Sequence, residues 1–167
     1  MKHKDRDLIK QITLDCIAQV TSPRFFASER GYGGELARHL GNALEPLGLF
    51  QTNAIIEQEA QKSWKKHKTG QRPDIIFHVP AEVSGASVFK NNFVAWALKV
   101  RATKKKAADD FNKLDAMFEK LGYPLGFFIN IDSDDSMRHC YTGAHRKRLM
   151  CVGVYRDAKG QICAKVN

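Results

Sequence analysis

The chain is short of acid, sparing with cysteine and free of long apolar runs. Its 167 residues carry 27 lysines and arginines against 18 aspartates and glutamates, a formal charge of +9 and a pI near 9.5. Such a balance favours a polyanionic partner, most simply nucleic acid, over an acidic one, although a merely soluble basic protein has the same totals. No apolar stretch reaches the length of a membrane span, and Met1-Lys2-His3-Lys4-Asp5-Arg6 has none of the apolar character of a secretion signal. The expectation is a soluble cytoplasmic protein with no membrane partner. The four cysteines (Cys16, Cys140, Cys151, Cys163) are scattered without a Cys-x-x-Cys pair, which suits reduced thiols better than a disulfide framework. His139, Cys140, His145 and Cys151 match no standard zinc spacing. There is no repeat, linker or low-complexity segment. With 43% hydrophobic residues, the length fits one domain, residues 1–167, with a real core.

What is present is a run of alternating periodicities. Leu8, Ile9, Ile12, Cys16, Ile17 and Val20 recur at helical spacing over residues 5–20, and Thr21-Ser22-Pro23 stops them. Ser28 is placed to cap a second helix, with Glu29 in its first turn and Tyr32, Leu36, Leu40, Leu44 and Leu47 following. Gly31, Gly33 and Gly34 mark either an irregular entry to this helix or a place where backbone or ligand comes close. Residues 51–60 read as a strand with Ala54, Ile56 and Gln58 on one side and Ile55, Glu57 and Glu59 on the other. A basic loop follows, with Lys62, Lys65, Lys66, Lys68 and Arg72. Residues 72–78 and 93–100, each apolar and rich in β-branched or aromatic residues, read as core strands, joined by a loop around 83–92. Lys104 to Leu121 carries a helical stripe of Ala107, Phe111, Leu114, Met117, Phe118 and Leu121, closed by Gly122-Tyr123-Pro124. Leu125 to Ile131 is a central strand, and 149–156 with 162–166 form a hairpin across Asp157-Ala158-Lys159-Gly160. Helices on either side of a strand run imply an α/β fold with one mixed sheet flanked by helices.

Each core strand holds one charge where none is expected. Asp74 opens the first, and Lys99 lies near the end of the second. Alternation puts Ala95, Ala97 and Lys99 on one face and Val94, Trp96, Leu98 and Val100 on the other. The small side chains leave a hollow beside the lysine, into which Asp74 is expected to point. A partly buried charge needs a partner. An acid and an amine facing one hollow suit a site that takes a cation and an anion together, as phosphodiester hydrolysis requires.

Pro73-Asp74 and Ala97-Leu98-Lys99 resemble the two halves of the PD-(D/E)xK nuclease signature, with Ala97 where that superfamily has Asp or Glu. The order helix, three strands, helix, strand matches its restriction-endonuclease-like αβββαβ core, over about residues 28–131, with the N-terminal helix and the C-terminal hairpin as additions. The resemblance implies a Mg²⁺- or Mn²⁺-dependent endonuclease acting on DNA. Asp74 would ligate the metal with the backbone carbonyl of Leu98 and, normally, an acid at position 97. Lys99 would position the attacking water. Glu29-Arg30 followed by Leu36 resembles the first core helix of archaeal Holliday-junction resolvases, making Glu29 the third acidic ligand and Glu35 its reserve. Asp110 and Lys113 resemble an Asp-x-x-Lys-Leu pattern on the helix after the third strand, implying support for Lys99; an ordinary helical ion pair has the same spacing. Phosphate contacts are expected from Arg72 and, beside Lys99, from Arg101, Lys104, Lys105 and Lys106. The groups Lys62 to Lys68 and Arg138 with Arg146 to Arg148 are further basic clusters. A homodimer is the expected way to bring two centres to a duplex.

Ala97 leaves three explanations open. The chain is a degenerate nuclease that binds nucleic acid or protein without cutting, or the acid comes from elsewhere, such as Glu57, or an Asp or Glu has been replaced by Ala and the enzyme inactivated. The last is favoured, because Asp74, Lys99, Glu29 and the Asp110–Lys113 pair all stand in place.

Overall fold

A computed structural model describes residues 1–49, 53–58, 73–85 and 90–167 of the chain. Arg72, Glu59 and the lysines at 62, 65, 66 and 68 therefore lie outside the described residues. Helix α1 (His3–Gln19) buries Ile9, Thr13, Cys16 and Ile17, one face at helical spacing. A 3₁₀ turn, Pro23–Ala27, leads to α2 (Glu29–Leu44). Ser28 caps α2 as its extended backbone and side chain predict, its Oγ accepting from the Gly31 amide at 3.0 Å. The irregular entry considered for the glycines is not found: α2 runs unbroken through Gly31, Gly33 and Gly34.

The sheet is mixed and six-stranded, in the order β1 (Ile55–Gln58), β2 (Ile75–His78), β3 (Asn92–Val100), β4 (Leu125–Ile131), β5 (Leu149–Arg156), β6 (Ile162–Val166). β1–β2, β2–β3 and β5–β6 are antiparallel, whereas β3–β4 and β4–β5 are parallel. The strands β3 and β4, bonded on both sides, are nearly all buried, as continuous apolar runs in a central position should be. The expected loop between β2 and β3 contains one helical turn, α3 (Ala81–Ser84). Helix α4 (Lys104–Lys120) forms the crossover from β3 to β4; Thr103 caps it, its Oγ1 accepting from the Lys106 amide at 3.3 Å.

Side-chain alternation sorts the sheet into two apolar layers. Ile75, Phe77, Val94, Trp96, Leu98, Phe127 and Ile129 pack with α1 and α2. Ile76, Ala95, Ala97 and Phe128 pack with Ala107, Phe111, Leu114, Met117 and Phe118 of α4. Trp96 stacks on Phe127 with ring centroids 5.6 Å apart. Small residues on β3 and β4 let α4 sit close: a Cβ on Gly126 would come within 2.5 Å of the Phe118 ring. The chain thus has the α/β architecture expected of it, with helices on both faces, N-terminal helices and a C-terminal hairpin. No described helix is long and apolar enough to cross a membrane.

Candidate functional site

Three elements converge where β3 ends. β2 starts there with Asp74, α2 starts there with Glu29, and α4 passes over it with Asp110. Ile75 pairs with Trp96, so Asp74, one residue earlier, falls opposite Ala97. Its Oδ2 accepts the Leu98 amide at 2.7 Å, which fixes the carboxylate against β3. Leu98 thus enters the site through its backbone, while its side chain is fully buried in the α1–α2 layer. Burial pushes the Asp74 carboxyl up to about 6; the Leu98 amide and the Lys99 charge pull against this, and the Asp110 and Glu29 charges add to it.

Lys99 stands between two carboxylates. Its Nζ lies 3.0 Å from Glu29 Oε2 and 3.2 Å from Asp110 Oδ2. Burial works to lower its pKa, but Asp110 and Glu29 outweigh that and hold the ammonium above its ordinary range. Lys99 is therefore a fixed cation here and not a ready proton acceptor. Lys113 Nζ donates to Asp110 Oδ1 at 2.6 Å, so Asp110 makes both the helical ion pair and the link to Lys99. The Asp110 side chain is only 4% exposed.

Two hollows open on either side of Glu29. A cavity of about 150 Å³ is lined by Glu29, Arg30, Gly33, Gly34, Gln58 and Asp74. A wider one of about 290 Å³ is lined by Glu29, Lys99, Lys106, Asp109, Asp110 and Lys113. Gly33 and Gly34 thus serve the second purpose considered for them, leaving the helix surface bare at the site. Gln58 is the residue whose role the sequence concealed. Its Nε2 donates to the Gly33 carbonyl at 3.1 Å, tying the edge strand to α2 across the smaller cavity. The signal was its place on the Ala54–Ile56–Gln58 face.

The hollow expected over the small residues of β3 is filled. Ala95 and Ala97 lie beneath α4, and Ala97 is 6% exposed. Open space lies beyond them, beside Asp74 and beside Lys99. Glu29, not Glu35, reaches the site; Glu35 is bound to Arg38 at 2.6 Å and to His39 at 3.3 Å on the next turn. Glu57 faces His78, whose Nε2 lies 2.7 Å from its Oε2. The Arg101 guanidinium pairs with Asp132, Nε to Oδ2 at 2.6 Å. Lys104, Lys105 and Lys106 are exposed on the first turn of α4. In the later basic group, Arg138 donates to the Leu149 and Arg146 carbonyls, Arg146 to that of Tyr141 and Arg148 to that of Phe118. These guanidinia hold the loop before β5 together.

No family model matches the chain, and no curated protein does. Among solved structures, it is similar to SfsA of Pyrococcus furiosus, determined in complex with Ca²⁺, at 11% identity and a TM-score of 0.43. That alignment covers 81% of this chain and 62% of the other, so the chain spans less than two thirds of SfsA. So distant a likeness has no bearing on the chemistry of the site.

The donors present suit a hard divalent cation. Glu29 and Asp74 both line one small cavity, with Glu29 Oε2 held by Lys99 and Oε1 accepting from the Val100 amide at 3.4 Å. Mg²⁺ typically takes one or two carboxylates, keeps several waters and completes its shell with substrate phosphate. Among the described residues no three of His, Cys, Asp or Glu stand close enough to hold a metal as they are. A two-carboxylate arrangement that leaves room for water and phosphate fits what is there.

Proposed function

We propose that the chain carries the site of a divalent-metal-dependent endonuclease that hydrolyses DNA phosphodiester bonds. The observation that supports this best is the meeting of Glu29, Asp74 and Lys99, drawn from three separate elements, around one end of β3. Glu29 and Asp74 would hold Mg²⁺ or Mn²⁺. Bound there, the cation would polarise a phosphate and lower the pKa of an attacking water. Lys99, charged and held by two carboxylates, offsets negative charge on the phosphoryl oxygens and orients the nucleophile. Arg30 and Lys106 line the two hollows and extend positive charge to either side. The lysines 104–106 crowd the positive end of a helix dipole, an arrangement that costs stability unless an anion settles there. A phosphate backbone supplies that anion. Arg72, outside the described residues, would be a further phosphate contact, and two copies of the chain would address the two strands, a point that sedimentation tests.

The test is cleavage of supercoiled plasmid in Mg²⁺ or Mn²⁺ by this chain and by Ala97→Glu, with Asp74→Asn as control. Cleavage by either, abolished by Asp74→Asn in that background, is expected. If neither form cuts, the enzyme reading fails. Salt-sensitive DNA binding without cutting would then mark a binding module, the alternative that the missing acid at 97 favours.

A further inference from the structure

The two ends of the sheet are finished differently. On β1 the amide of Ile56 is taken by a side chain from outside the sheet, Glu45 Oε1, at 2.8 Å. The outer edge of β6 has no such guard. We infer that this edge is the docking surface for a second copy of the chain, joined antiparallel through residues 161–167 into one continuous sheet. The contact would unite the two copies invoked above, but it rests on the sheet edge alone and not on the metal-dependent reading.

The ladder between β5 and β6 decides which backbone groups are free. Cys151, opposite Asn167, accepts its amide at 3.3 Å, and Asp157, opposite Gln161, donates to its carbonyl at 2.9 Å. Facing residues of an antiparallel pair alternate between bonded and non-bonded. The odd-numbered residues of β6 therefore bond to β5, and the N–H and C=O groups of Ile162, Ala164 and Val166 point outward. Among the described residues no strand meets them. Such an edge is a template for another strand unless proline, a bulge or a row of charges blocks it. β6 has no proline, keeps an unbroken register with β5 and carries a single charge, Lys165.

The segment is also complementary to itself. With a two-fold axis at Ala164, the two alanines face each other, Ile162 faces Val166 of the second copy, Cys163 faces Lys165 and Gln161 faces Asn167. Each outward residue then exchanges its bonds with an outward residue of the other strand. Ile162, Ala164 and Val166 share one sheet face, where Ile162 already packs on the α1–α2 layer and Val166 is 42% exposed. Pairing lays an isoleucine against that valine on each side of the axis. Lys165 meets a thiol and not a like charge. An axis one residue later, at Lys165, would oppose two ammonium groups. An axis one residue earlier, at Cys163, would set Val166 against Gly160, which sits in the turn with φ +78°. Two-fold pairing uses up the edge in both copies, so assembly stops at the dimer.

The test is sedimentation equilibrium of the full-length chain, with chelator and without DNA, and with thermal melts to check folding. An edge contact is smaller than a standard interface, so the chain is followed from about 1 to about 200 µM, which brackets micromolar dissociation. The parent is expected to dimerise as concentration rises. Ala164→Pro removes the central outward N–H and leaves the bonds to β5, and it should weaken the dimer at least roughly tenfold. Val166→Lys puts a charge into the apolar row and should do the same; it decides the matter if Ala164→Pro does not fold. Lys165→Cys sets a thiol opposite Cys163 of the second copy in a non-hydrogen-bonded pair, near enough for a disulfide. Mild oxidation should then give a covalent dimer that is absent from the oxidised parent. A parent that stays monomeric overturns the inference and leaves the edge to a strand of another protein. So does a dimer that both Ala164→Pro and Val166→Lys leave intact, or an oxidised Lys165→Cys chain that forms no covalent dimer. None of these results bears on plasmid cleavage, and a failure to cleave leaves this contact standing.

Discussion

Asp74→Asn should make the protein more stable, and more so at high pH. The carboxyl titrates near 6 in the folded chain against an ordinary value of 3.8. Between those values the folded state holds a proton that the unfolded state has released. Stability from this group is therefore intact below the lower value and declines as pH rises, until the full penalty is reached above about 6. At 1.36 kcal/mol per pKa unit, that penalty is about 3 kcal/mol at pH 8 and about 1 kcal/mol at pH 4.5. Asparagine carries no charge to desolvate, and its side-chain oxygen can still accept the Leu98 amide. In a domain of this size each kcal/mol moves Tm by about 2–4 °C, so the variant should melt roughly 6–12 °C above the parent at pH 8. The gap should shrink to a few degrees at pH 4.5. Calorimetric melts of both proteins at the two pH values, with chelator present, measure it. A variant that melts at or below the parent at pH 8, or by the same margin at both values, would refute the account of Asp74 as a carboxylate held against its own desolvation.

Two further outcomes follow from the same charges. Lys99→Ala should destabilise the fold by about 2 kcal/mol in urea titrations, because it removes one of the two ammonium partners of the buried Asp110. Adding Asp110→Asn should recover much of that loss, and strictly additive effects would count against the coupling. Changing Lys104, Lys105 and Lys106 together to Gln should raise the melting temperature of the DNA-free protein by a few degrees, because each lysine opposes the helix dipole by about 0.3–1 kcal/mol. The log–log salt dependence of DNA binding, read by fluorescence anisotropy, should become shallower by up to about 0.9 for each phosphate that is no longer neutralised; an unaltered slope would remove these lysines from the interface.

Much of the architecture was legible because one-sided burial writes itself into residue spacing. The Ser28 cap, the α4 stripe and the β5–β6 hairpin follow from local periodicity alone. So does the alternation of β3, which separated Trp96 and Leu98 from Ala95, Ala97 and Lys99. What the spacing concealed was tertiary. It could show small residues beside a lysine, but not that α4 covers Ala97 and leaves the open space beside Lys99 and Asp74. It placed Asp110 beside Lys113, three residues on, but a helical repeat cannot say which strand end lies beneath that face. That the arginines at 138, 146 and 148 brace backbone carbonyls was hidden too, since such partners leave no trace in side-chain chemistry. Gln58 read as one more polar residue on an edge strand until α2 was laid against it.

The residues around the end of β3 come from positions 29, 74, 99 and 110, each anchored by a different stretch of core. A nascent chain that has emerged only as far as the first hairpin holds Glu29 and Asp74 but has no helix to lay across β3. That helix needs Phe128 and Gly126 of β4 beneath its stripe before it can dock. Assembly of this cluster therefore waits on a late segment of the polypeptide.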